Sequence, residues 1–174
     1  MRKTVVCLSL VLLLAFAARA GFAMPQPDSW ILEDIGHFRT QTWSYQTLMG
    51  IHRTPYAHTV IAPKPREYRL WVRSLWHSRL AKTKGRFLQG PPHKSAWLCI
   101  HRYEGGWHDG GGPYYGGLQM DISFMRLYGA QLLRRKGTAD RWTATEQMWV
   151  AERAYRAGRG FYPWPSTARM CGLI

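Results

Sequence analysis

The sequence predicts a mainly α (α+β) fold: a small helical domain with one short loop or β element, preceded by a basic helical segment. Three observations lead there. Apolar residues recur at helical spacing through residues 67–84 and again beyond Lys94. The later segments carry helix start and stop signals, with Asp121 and Thr143-Ala144-Thr145-Glu146 at their beginnings and Gly105, Gly137 and Gly158 at their ends. Between them, Asp109 to Tyr115 is so rich in glycine that it reads as a loop or a short β excursion. At 174 residues and 20.1 kDa there is room for one compact domain and an ancillary segment, but hardly for two large cores.

Residues 1–23 read as an export signal. Arg2 and Lys3 begin it, Val5 to Ala18 form an apolar stretch of 14, and Ala18-Arg19-Ala20 or Gly21-Phe22-Ala23 offers a small-residue cleavage site. That stretch is short for a bilayer span, which takes about 20 apolar residues. The expected location is therefore secreted or associated with the cell wall, with no transmembrane span after cleavage. In an oxidising compartment cysteines pair. Cys7 leaves with the signal, so Cys99 and Cys171 form the expected disulfide. Loss of Arg2, Lys3 and Arg19 lowers the formal charge from +14 by three, to +11. A charge of that size suits an acidic partner such as anionic wall polymers, and export argues against a nucleic acid.

Residues 24–66 read as an irregular segment interrupted by five prolines, with one short helix near Ser29 to Phe38. Residues 67–92 read as a basic amphipathic helix and linker. Its Tyr68, Trp71, Val72, Leu75, Trp76 and Leu80 fit either docking on the following domain or contact with an anionic membrane. Residues 93–174 carry the main domain. In it, Lys94 to Tyr103 is expected to be a helix with Glu104 in its last turn, Asp121 to cap a helix running to about Leu133, and a third helix to span Ala144 to about Ala157.

Chemistry gathers around Glu104-Gly105-Gly106-Trp107 and Tyr114-Tyr115-Gly116-Gly117-Leu118-Gln119. A carboxyl at a helix end, partly desolvated by Tyr103 and Trp107, is suited to giving a proton to a glycosidic oxygen. The glycines allow close backbone approach, and the Gln119 amide can grip hydroxyl or acetamido groups. Taken singly, Glu104 also fits an ordinary surface residue, and the second run a tight turn that sends Leu118 into a core. Tyr115, Trp107, Trp142 and Trp164 are candidates for stacking on sugar faces. A metal site through His101, Glu104, His108 and Asp109 lacks a convincing third ligand, so neither metal nor cofactor is expected.

Trp97, Cys99, the Glu104 run, the Tyr114 to Gln119 run, Glu146-Gln147, Val150-Ala151-Glu152-Arg153 and Trp164-Pro165, taken in order, resemble the catalytic domain of resuscitation-promoting factors. The resemblance covers residues 93–174. It implies a transglycosylase-like, lysozyme-like fold and cleavage of the glycan strand of bacterial peptidoglycan, with Glu104 catalytic and the Gly117-Leu118-Gln119 motif lining the glycan-binding cleft; Tyr115 and Trp107 join them as expected substrate-binding residues by their aromatic character. The family usually has Cys immediately before the Glu and Ser just after it, where this chain has Tyr103 and Gly105; Cys99 and Cys171 are both displaced from the usual positions. The implied activity is cleavage of the β-1,4 bond by a single Glu acting as acid and then base, since Asp109 reads as a turn residue and Asp121 as a helix cap. The alternative from another class is a wall-binding or signalling module of the same fold without catalysis.

Overall fold

The computed structural model describes residues 28–174; the export signal expected over 1–23 lies outside them. The helices are α1 (Ser29–Leu48), α2 (His58–Ile61), α3 (Arg66–Gln89), α4 (Lys94–Glu104), α5 (Ile122–Tyr128), α6 (Ala130–Lys136), α7 (Ala144–Ala154) and α8 (Pro165–Met170). A 3-10 turn at Ala139–Arg141 precedes α7 and a π turn at Tyr155–Arg159 follows it. No strand occurs among the described residues. The expected β element is reduced to a single antiparallel bridge, in which Tyr115 and Met120 exchange N–H···O bonds of 3.0 Å.

Helix α7 forms the centre. Thr143 and Glu146 cap it reciprocally: the Thr143 hydroxyl accepts from the Glu146 N–H, and the Glu146 carboxylate accepts from the Thr143 N–H. All seven residues from Glu146 to Glu152 are buried. Their two carboxylates are satisfied by neighbouring elements, Glu146 by Lys136 Nζ at 2.7 Å, Glu152 by Trp97 Nε1 at 3.0 Å and by Arg156 Nε at 3.3 Å, while Gln147 donates through Nε2 to Trp107 O and Ala139 O, each at 2.8 Å, and its Oε1 has no partner among the described residues. A buried carboxylate without such donors would cost several kcal/mol. Trp97, Ile100, Leu118, Met125, Leu132 and Trp142 pack with Trp149 of this helix as one core.

Residues 28–66, expected to be largely irregular, hold a 20-residue helix. Its buried face runs Ile31, Ile35, Thr42 and Gln46, so the apolar period lapses halfway while the burial continues. Thr42 bonds its own helix at Phe38 O, and Gln46 is held at both ends by Thr54, through Oγ1 at 2.8 Å and N–H at 3.0 Å. Arg73 of α3 reaches Asp34 of α1 at 2.6 Å, and Ile31, Ile35, Val72 and Trp76 form a small second core. Trp76 of α3 thus docks on the preceding α1 and not on the following domain, whereas Trp71 stays 55% exposed.

The segment before residue 93 shares its packing with residues 93–174. Leu48, Met49 and Phe87 belong to the main core, Trp149 Nε1 donates to Phe87 O at 2.9 Å, and residues 31–174 form one compact unit. The single helix expected from Asp121 to Leu133 is broken. Gly129 closes α5 through its N–H to Met125 O, and a Cβ there would lie 2.6 Å from the Trp142 ring. The break lets that indole fill the core beneath it.

Candidate active site

Three segments meet at Glu104. The first is α4, whose Trp97 and Ile100 face the core and thereby fix where the helix ends. Gly105 ends it in extended backbone, with Glu104 half-buried in the last turn. The second is the turn from Tyr115 to Met120, closed by the paired bridge and by Gly116 N–H to Asp109 O at 2.7 Å. The third is Trp164 and α8, started by Pro165 in its first turn.

Specific bonds tie the three together. The Cys99–Cys171 disulfide joins α4 to the end of α8, as expected from the sequence, closing a loop of 72 residues worth about 4 kcal/mol on a chain-entropy estimate. Trp164 Nε1 donates to Leu118 O at 2.6 Å and so pins the glycine turn to α8. Thr167 Oγ1 donates to Glu104 Oε1 at 2.7 Å, which pins α8 to the carboxylate. The sequence reading missed Thr167 altogether. It supplies from 63 residues downstream a hydroxyl of the kind that Gly105 cannot.

Gln119 sits at φ +44°, a left-handed conformation uncommon for a residue with a side chain. Its Nε2 donates to Asp109 Oδ2 and to Gly116 O, each at 3.0 Å, so the amide is clamped with its oxygen left to accept from a ligand. Gly105 makes the clamp possible, because a Cβ there would come within 2.9 Å of Gln119 Nε2. Glu104, Gln119, Tyr114, Trp164, Pro165 and Ser166 line a groove of about 300 Å³.

The other expected site residues lie elsewhere. Gly117 is buried beneath α4, where a Cβ would meet His101 Nδ1 and Trp107 Cε3, both at 2.6 Å. Trp107 stacks on His101 at 3.8 Å and packs on the core. Tyr115 is half-buried with its hydroxyl over Gly112, and its neighbour Tyr114 faces the groove in its place. Pro163 to Ser166 form the groove wall beside Glu104, and neither Tyr103 nor Trp107 lines the groove. Leu118 enters the core. His101, weighed as a ligand, has Nδ1 3.1 Å from Gly117 O, and His108 Nδ1 lies 2.8 Å from Asp140 O; both hold loops. Trp142, a stacking candidate, is fully buried.

The two nearby aspartates are engaged as turn and cap. Asp109 accepts from Gln119 and from the Gly111 N–H, and Asp121 Oδ1 accepts from the Phe124 N–H at the start of α5. Glu104 forms no ion pair among the described residues. Larger hollows of about 360 and 370 Å³ lie beside Trp43 and beside Trp71, but neither is lined by a carboxylate. A fourth hollow holds Glu146, which Lys136 and the helix cap already engage.

Compared with models of known families, with curated proteins and with solved structures, the chain matches none.

Proposed function

We propose that this is a secreted or wall-associated enzyme with a lysozyme-like catalytic region, cleaving the β-1,4 glycosidic bond of bacterial peptidoglycan with Glu104 as its only catalytic carboxylate. The observation that carries the reading is Glu104 itself: half-buried, unpaired with any cation among the described residues, held on one oxygen by Thr167, and set in a groove beside a clamped Gln119.

In the proposed reaction Glu104 gives its proton to the bridging oxygen as the bond from the muramic C1 breaks. The electron-poor C1 is stabilised by the substrate's own acetamido oxygen, which removes the need for a second enzyme carboxylate. Glu104, now ionised, takes the proton from the group that attacks C1. If that group is water the product has a reducing end; if it is the muramic C6 hydroxyl the product is an anhydro sugar. Thr167 orients the carboxyl through its O–H, and Gln119 Oε1 accepts from a sugar hydroxyl or acetamido N–H. The high positive charge concentrates the protein on the anionic wall.

The experiment is release of soluble glycan from purified walls by residues 24–174. Glu104→Gln, which keeps size and hydrogen bonding but cannot donate the proton, should lower the rate by about a hundredfold or more. Equal wall binding by both proteins with no release from either would instead identify a glycan-holding module.

A further inference from the structure

The groove does not end at Glu104. A second lobe of about 200 Å³ shares Tyr114, Gln119, Pro163 and Trp164 with the first and ends at Arg159. The shared walls make one continuous cleft, with an acid in one lobe and a guanidinium in the other.

We propose that Arg159 is a specificity residue that receives a carboxylate carried on the glycan, so that the cleft selects carboxylated sugars over neutral ones of the same backbone. The inference rests on the glycan-cleft reading above. Arg159 is exposed at the last position of the π turn; its carbonyl accepts from the Tyr162 N–H at 3.3 Å, and its side chain forms no hydrogen bond or ion pair among the described residues. Asp121, the acidic residue lining the same lobe, uses Oδ1 to cap α5 and is not paired with Arg159. Gly158 at φ +89° and Gly160 at φ +54° place the arginine on a tight turn between α7 and the Trp164 wall, which fixes its backbone against the cleft. A planar guanidinium with all its donors free is suited to bidentate capture of a carboxylate. In a wall glycan free of stem peptides the lactyl group of muramic acid presents a free carboxylate beside the sugar backbone; neutral chitin-type chains have none.

The test measures binding, so it does not depend on turnover. The full chain carrying Glu104→Gln is titrated with two tetrasaccharides, one of alternating N-acetylglucosamine and N-acetylmuramic acid and one of N-acetylglucosamine alone. The muramic ligand should bind about tenfold more tightly, as a charge-assisted bond allows. Adding Arg159→Gln should abolish that preference without altering the neutral ligand's affinity, and Arg159→Lys should keep part of it. Adding Arg169→Gln removes the same charge outside the cleft and should leave the preference intact. The proposal is overturned if the parent binds the two ligands equally, or if Arg159→Gln leaves the preference in place. It is equally overturned if Arg169→Gln erases the preference as fully. Absence of wall cleavage by the chain with Glu104 intact, with the preference retained, would count against the enzymatic reading and leave Arg159's role standing.

Discussion

Thr167 and Gln119 show how much of the candidate site hangs on single hydrogen bonds. A hydroxyl that donates to a carboxylate at 2.7 Å orients it. Thr167→Val keeps the shape of this buried side chain but removes the donor, so wall-cleaving kcat should fall about tenfold, matching a charged hydrogen bond of ~1.5 kcal/mol. Thr167→Ser should recover most of it. Unchanged kcat in the Val variant would show that the bond has no part in turnover. Glu104 and Gln119 were legible in the sequence because each stands in a short motif with a helix end or glycines beside it. Thr167 was not, since nothing in residues 161–174 announces a partner 63 positions upstream. Tyr115 and Trp107 were legible as aromatic, but which face of the turn each occupies is settled by the close approach of Gly117 to α4.

At the scale of elements, the sequence reads well where local chemistry decides and poorly where burial overrides pattern. The capping box at Thr143, the Asp121 cap and the helix ending in Glu104 follow from neighbouring residues alone. The long α1 helix does not, because Thr42 and Gln46 occupy core positions by satisfying their polar groups through Phe38 O and Thr54. The break at Gly129 likewise depends on Trp142, a contact that no window of sequence contains. Two predictions belong here. Gly117→Ala would drive a methyl group into His101 and Trp107, so thermal unfolding should show a loss of about 1–3 kcal/mol; an unchanged Tm would mean the turn shifts freely. Thr143→Ala removes one half of the cap on the central helix and should cost about 1 kcal/mol in chemical denaturation. Its wall-cleaving rate below the transition should stay unchanged, since Thr143 lies outside the groove.

For the molecule as a whole, the boundary expected near residue 92 is crossed by the core. Leu48, Met49 and Phe87 fill the space around Trp149, whose indole N–H finds its acceptor in Phe87 O. Residues 93–174 alone would expose that apolar surface and strand a buried donor. They should melt well below residues 24–174 in circular dichroism, by more than about 10 °C if the loss exceeds ~3 kcal/mol. Equal melting would restore the 93–174 region as an independent domain. Reduction of Cys99–Cys171 should likewise lower stability, and it frees the end of α8 that carries the Thr167 contact to Glu104.

The central claim is that one carboxylate, Glu104, breaks the glycan strand. Its most direct test is mass spectrometry of the fragments released from purified peptidoglycan by residues 24–174, beside Glu104→Gln. The wild-type chain should release muropeptides with newly formed anhydro or reducing muramic ends, and the variant none. Fragments released equally by both, or by neither, would contradict the claim.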